Sequence, residues 1–300
     1  MSRLPLCLAV LVALLAPRLA MAGEPCVPKR AASMAMSTDD SGGVYVPMAI
    51  GTRKVNLLID TGGIDSMLTI ATVQSLNLLV GEVRGVRVTM FGGMPIEYYT
   101  EASNINLGGL FAPKKQFLVL PNVMQPGIDG TLAPDVLRAY DDDFDFANST
   151  FNLYLPNDCA AADVVYWTKS GYSALDIQLD ETGHVAMQVT LDGQKFRAHI
   201  DTGSSRSVLG LDEARNLFHF DMNSPYLKPL DEKGGGHSYK FPFKTLNFGG
   251  TIVGDPDIVL VPESESGMTG ALIGMGVLRQ LHLYIAYQQQ KMYISAATAH

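Results

Sequence analysis

Ile59-Asp60-Thr61-Gly62 ends one run of apolar residues, and Ile200-Asp201-Thr202-Gly203 ends another. The two stretches stand 141 residues apart, and that offset organises the rest of the chain. Val44 falls on Val185, Lys54 on Lys195, Ser66 on Ser207, Leu68 on Leu209 and Leu76 on Leu217. Asn106-Leu107-Gly108-Gly109 falls on Asn247-Phe248-Gly249-Gly250, and Val136-Leu137-Arg138 on Val277-Leu278-Arg279. Self-similarity held at one offset over most of the chain reads as two copies of one structural unit.

Each copy carries mostly β signals. Val44 to Ile50, a turn at Gly51-Thr52 and the apolar run Val55 to Ile59 predict a hairpin. Val185 to Leu191, Asp192-Gly193 and Phe196 to Ile200 predict its twin. Short helices are predicted over Ala71 to Leu78, Leu211 to Phe218, Pro134 to Tyr140 and Met275 to Leu281. Many short strands with a few short helices place the chain in the all-β class, as two barrel-like lobes related by a pseudo-two-fold. The lobes are expected over residues 43–156 and 172–296. A loose lead-in is expected at 23–42, and a small, polar linker at 157–171.

A single Asp-Thr-Gly is an ordinary strand-ending turn, with Asp as a local cap and Gly relieving the backbone. Two at the repeat offset, each leading into Ser-apolar-Leu (Ser66-Met67-Leu68 and Ser207-Val208-Leu209), ask for another reason. Duplication lets two equivalent Asp turns meet across a symmetry axis. Two adjacent carboxylates cannot both ionise comfortably, so they hold one proton between them. The ionised member can activate a water while the protonated one hydrogen-bonds a substrate carbonyl. Such chemistry calls for no cofactor and no metal.

On these residues the chain resembles the aspartic proteases of the retropepsin and pepsin clan, and is most similar to bacterial retropepsin-like members joined as a tandem. Asp201-Thr202-Gly203-Ser204-Ser205 also matches the pepsin-like form. The family's paired apolar residues followed by Gly, which buttress the catalytic loop, occur as Leu272-Ile273-Gly274. The first unit has Thr131-Leu132-Ala133, with Ala133 in the Gly place. The resemblance implies that Asp60 and Asp201 are the catalytic pair. It implies that Thr61 and Thr202 lock the two loops, and that Gly62 and Gly203 leave room for backbone approach. It also implies Gly-rich flaps over the substrate, at Phe91-Gly92-Gly93-Met94 and Gly234-Gly235-Gly236. The implied partner is a peptide or protein substrate, and the implied state is a monomer forming an intrachain pseudo-dimer. Two other readings stay open: a peptide- or protein-binding module that hydrolyses nothing, and a dimer of chains with two sites.

The sites differ after the Gly: Gly63-Ile64-Asp65 against Ser204-Ser205-Arg206. A Ser204 hydroxyl donating to Asp201 would favour its ionised form, leaving the proton on Asp60. Asp65 and Arg206 occupy corresponding positions, with two readings open, contact with a substrate backbone or pairing with solvent, and solvent is the expected one. The six His show no metal-ligand spacing, and His199 reads as a packed or exposed strand residue. The run Asp141-Asp142-Asp143-Phe144-Asp145 lacks the Gly and Glu of a calcium loop and is expected to be a solvated loop.

Residues 1–22, MSRLPLCLAVLVALLAPRLAMA, read as a signal peptide. Arg3 precedes an apolar stretch, and Ala20-Met21-Ala22 fits the cleavage rule. The other reading is an uncleaved anchor, but the run is shorter than the ~20 residues a span needs. A periplasmic or secreted protein with no later membrane contact follows; "bacterial" rests on the resemblance alone. Cys7 would leave with the signal. Cys26 and Cys159 would then form one disulfide or remain two thiols. Hydrophobic residues at 47% and charged residues at 17% exclude a disordered chain, and a net charge of −8 argues against a nucleic-acid surface.

Overall fold

In a computed structural model, residues 26–85, 88–89, 94–121, 124–231, 237–262 and 270–298 are described. The signal segment 1–22 and the flap residues Phe91, Gly92, Gly93, Gly234, Gly235 and Gly236 lie outside them. Strand outweighs helix, 49% against 10%, which is the all-β class that the alternating runs predict. Among the described residues no helix is long and apolar enough to cross a membrane.

Val44–Ile50 buries every second residue and pairs antiparallel with Arg53–Ile59. Gly130–Leu132 then lies parallel to Arg53–Ile59, with Leu132 opposite Ile59. Tyr98–Leu107 closes the first barrel by pairing back on Val44–Ile50, Ala49 opposite Asn106. The second lobe repeats each step at the 141 offset. Val185–Leu191 pairs with Gln194–Ile200, Ile273 lies beside Ile200, and Thr190 stands opposite Asn247. The helices also match: Ile70–Ser75 with Leu211–Phe218, and Pro134–Leu137 with Met275–Leu278. Each barrel is filled by the inward residues of its strands, Leu57, Ile59, Phe117 and Leu132 in one and Phe196, Ile200, Leu246 and Ile273 in the other.

One continuous antiparallel run joins the lobes, in the order Arg30–Ala35, Thr150–Tyr154, Asp141–Asp145, Leu281–Ala286, Lys291–Ala296, Ser173–Leu179. At its centre Asp143 stands opposite Tyr284, Asp142 opposite Ile285 and Phe144 opposite Leu283. Asp143 and Tyr284 are repeat equivalents, so the pseudo-two-fold passes between them.

Three expectations are corrected by this sheet. The lead-in is not loose: Ala32, Met34 and Met36 alternate inward, and Arg30–Ala35 becomes an edge strand. The connecting piece is not a polar tether, because Cys159, Val164, Val165 and Trp167 pack into a small core with Tyr154, Tyr284 and Tyr293. Cys159 bonds to Cys26 with Cα atoms 5.4 Å apart, tying the lead-in to that piece.

The acidic run is not a solvated loop. Asp141–Asp145 is a strand, and Asp141, Asp142 and Asp143 are buried. Neighbouring side chains supply the donors that water would have supplied. Tyr284 and Asn157 donate to Asp141 at 3.2 and 3.0 Å, and Tyr287 donates to Asp142 at 3.0 Å. Tyr166 and Asn152 donate to Asp143 at 2.6 and 2.9 Å, and its other oxygen meets His282 Nε2 at 2.7 Å. Trp167 stacks on His282, ring centroids 4.1 Å apart.

Candidate active site

The two Asp-Thr-Gly loops meet at the head of this seam. Both Thr side chains are fully buried and their bonds are reciprocal. The Thr61 amide donates to Thr202 Oγ1 at 3.1 Å, and the Thr202 amide to Thr61 Oγ1 at 3.1 Å. Each hydroxyl then donates to the opposite strand, Thr61 to the Ile200 carbonyl at 3.1 Å and Thr202 to the Ile59 carbonyl at 2.7 Å. Thr is needed at both places because a hydroxyl can accept from one lobe's amide and donate to the same lobe's carbonyl.

This crossing brings Asp60 and Asp201 together, each carboxyl lying against the glycine of the opposite loop. The approach is close enough that a Cβ on Gly62 would overlap the Asp201 carboxyl, and one on Gly203 the Asp60 carboxyl. Only glycine leaves the space. Asp60 Oδ1 accepts from the Gly62 amide at 3.1 Å. Asp201 Oδ1 accepts from the Gly203 amide at 2.8 Å and the Ser204 amide at 3.1 Å.

Burial and then the Asp201 charge hold the Asp60 carboxyl well above the carboxylate range. Burial also raises Asp201, but the Gly203 and Ser204 amides, the hydrogen bond from Asp60 and the His184 charge all pull against it. Asp201 accepts two backbone amides where Asp60 accepts one, and that difference favours the charge on Asp201. The expected donor, the Ser204 hydroxyl, does not reach the pair. The Ser204 hydroxyl donates to the Arg206 carbonyl at 2.8 Å, because its loop turns that side chain away from the pair, and the Ser204 backbone supplies the asymmetry.

Behind each loop the buttress repeats. Leu132 and Ile273 accept from the Asp60 and Asp201 amides at 2.9 and 3.0 Å. Ser66 and Ser207 hydroxyls accept from the Ala133 and Gly274 amides at 3.1 and 3.0 Å. At Gly274 a Cβ would overlap the Arg206 and Ser204 carbonyl oxygens. In the first lobe a Cβ on Gly63 would stand 3.2 Å from the Ala133 methyl, so here the bare residue is at 63 and the methyl at 133.

Each lobe has a hairpin after its Asp loop, Val88–Thr89 with Pro95–Ile96 in the first and Lys228–Asp231 with His237–Lys240 in the second. Met94, at the described edge of the first tip, is 39% exposed. Beside the first loop a groove of about 690 Å³ is lined by Asp65, Gly81, Glu82, Tyr99, Gln116 and Leu118. Asp65 is partly buried there rather than fully solvated.

Sequence reasoning missed Asp180 and His184. His184 Nδ1 lies 2.9 Å from Asp180 Oδ2, and Nε2 lies 3.1 Å from the Gly63 carbonyl across the seam. The available signal was Asp39 falling on Asp180 at the repeat offset.

Among solved structures the chain is similar to conglutin gamma, a basic 7S globulin from lupine seeds. The TM-score is 0.55 at 11% identity, covering 91% of this chain and 96% of that one. It is also similar to basic 7S globulin from soybean, with TM-score 0.54 at 8% identity over 91% and 96%. The chain has the acid-protease fold. No family model matches it, and no curated protein does.

Proposed function

We propose that the protein is an aspartic endopeptidase that cuts peptide bonds at the Asp60/Asp201 pair. What carries the reading is the approach of the two carboxyls over Gly62 and Gly203, held by the reciprocal Thr61/Thr202 bonds. In this reading Asp201 takes a proton from a water between the two acids, and the water oxygen attacks the scissile carbonyl carbon. Asp60 gives its proton to the carbonyl oxygen as that oxygen becomes tetrahedral. Collapse of the intermediate returns one proton to Asp60 and sends the other to the leaving amine. In this reading an extended chain would pass the groove at Asp65 and Tyr99; the flaps that the sequence implies lie outside the described residues.

The single-chain pairing of Asp141–Asp145 with Leu281–Ala286 supports a monomer with an intrachain pseudo-dimer. Residues 1–22 as a signal, together with the Cys26–Cys159 bridge, support export to an oxidising compartment such as a periplasm. A second reading, a peptide- or protein-binding module without hydrolysis, is favoured by the structural neighbours, which are named as globulins and not as peptidases. Incubation of the mature protein with denatured casein from pH 3 to 7, with and without pepstatin, separates the two. The peptidase reading expects cleavage that pepstatin blocks and that Asp60→Asn and Asp201→Asn each abolish. Cleavage surviving both substitutions contradicts it.

A further inference from the structure

The two catalytic loops are held from behind by different means. In the second lobe the Met275 amide, at the start of its helix, donates to the Ser204 carbonyl at 2.8 Å. The repeat equivalents are Pro134 and Gly63. Pro134 begins the matching helix and has no N–H, so that bond cannot form in the first lobe. The Gly63 carbonyl accepts instead from His184 Nε2, at 3.1 Å and from the opposite lobe.

His184 is placed there by a duplicated turn. Asp39 accepts from the Ser41 and Gly43 amides at 2.8 Å each, and Asp180 accepts from the Thr182 and His184 amides at 2.9 and 3.0 Å. The turns differ where Gly43 faces His184 at the offset. Ala186 stands opposite His199, and His184 and Asp201 lie two residues beyond that pair on their respective segments.

We propose that His184 is a positioning residue for the Asp60/Asp201 site: held by Asp180, its ring supplies the donor that Pro134 withholds from Gly63 and sets a positive charge beside Asp201. The catalytic consequence rests on the peptidase reading, whereas the contact and its charge do not. A carbonyl only accepts, so Nε2 carries a proton. Thr182 Oγ1 spends its own proton on Asp180 Oδ1 at 2.6 Å, and Nδ1 faces only that hydroxyl oxygen at 3.0 Å and the Asp180 carboxylate at 2.9 Å. The Asp180 carboxylate at Nδ1 thus places the ring to hold a second proton there. Partial burial works against the Asp180 charge, but Thr182, the His184 amide and the His184 charge hold its carboxyl down at about 2. The other ionisable groups around the ring are Asp201, His199 with Arg197 on the adjacent strand, and Arg138, whose guanidinium donates to the Glu181 carbonyl at 3.2 Å.

Three variants separate donor from charge: His184→Leu lacks both, His184→Gln keeps a donor without the charge, and His184→Leu with Pro134→Ala returns the missing amide. Loss of this partly buried donor is expected to lower kcat about tenfold in His184→Leu. His184→Gln and the double variant are expected to stay within about threefold of wild type, as one replaced hydrogen bond allows. In all three the acidic limb of the pH–rate profile should move to higher pH, since the cation that favours ionised Asp201 is gone. Wild-type kcat with an unmoved limb in His184→Leu overturns the proposal, and so does a failure of Pro134→Ala to restore kcat. Trp167 fluorescence checks that each variant is folded; should His184→Leu alone not fold, the Gln and double variants carry the comparison through the limb. If the wild type cleaves nothing, the peptidase reading fails by itself. The Asp201 ¹³Cγ titration then decides, with an upward shift on loss of His184 expected and an unmoved Asp201 overturning the proposal.

Discussion

The Thr61 amide bonds the Thr202 hydroxyl and the Thr202 amide bonds the Thr61 hydroxyl, both at 3.1 Å, so neither Asp-Thr-Gly loop holds its shape without the other lobe. Each hydroxyl is fully buried and bridges an amide and a carbonyl. Thr202→Val keeps the volume and removes the hydroxyl, leaving the Thr61 amide and Ile59 carbonyl unpaired. The expected loss is roughly 1–3 kcal/mol for each buried group left unsatisfied. Urea unfolding should show it, with Thr202→Ser close to wild type.

Stability should fall as pH rises through the weakly acidic range. Burial lifts Asp141 to about 7, and lifts Asp142 well above the usual carboxylate range despite the Tyr287 hydrogen bond. One oxygen of each has no hydrogen-bond partner among the described residues, consistent with a proton held there. A carboxyl that binds its proton more tightly when folded stabilises fully below its unfolded value near ~4, and loses that contribution as pH climbs toward the folded value. Melting curves between about pH 4 and 7 should therefore decline, by up to ~1.4 kcal/mol per pH unit per group. Asp142→Asn should flatten the decline.

Gly274→Ala and Ala133→Gly are opposite tests of the buttress. A methyl at residue 274 overlaps the Arg206 and Ser204 carbonyls, which are backbone and cannot swing aside. Overpacking of this kind costs typically 1–3 kcal/mol, and here it displaces the loop that carries Asp201. Thermal unfolding and casein cleavage should both suffer in Gly274→Ala, while Ala133→Gly keeps the fold and the activity.

Reduction should loosen the lead-in first. Cys26 and Cys159 lie 133 residues apart and tie the edge strand Arg30–Ala35 to the piece around Trp167. Removing such a link costs about 2–5 kcal/mol. Trp167 is the single tryptophan, stacked on His282 in the seam. Its emission during urea unfolding, with and without dithiothreitol, should show an earlier transition in the reduced protein.

Much of this architecture was legible in the residues because it is local. Alternation places Val44–Ile50 and Val185–Leu191, and the repeat offset pairs the two Asp turns before any contact is known. The acidic run misled because three successive aspartates read as solvated until the seam wraps them in Tyr166, Tyr284, Tyr287 and His282, residues of distant segments. The lead-in misled because its short alternation of Ala32, Met34 and Met36 gains meaning only against Thr150–Tyr154. His184 was hidden for the same reason: its acceptor, the Gly63 carbonyl, is 121 residues away and is vacant only because of Pro134. The Ser204 hydroxyl had two acceptors in reach of its loop, and spacing does not choose between them.

The most direct test is to follow the ¹³Cγ resonances of Asp60 and Asp201 across pH 2 to 9 in the mature protein and in Asp60→Asn and Asp201→Asn. The expected result is two widely separated steps belonging to the pair, with one proton retained over the range between them, and replacement of either residue collapsing the other to a single step. Two carboxyls titrating independently near ~3.9, each indifferent to loss of the other, would contradict the account.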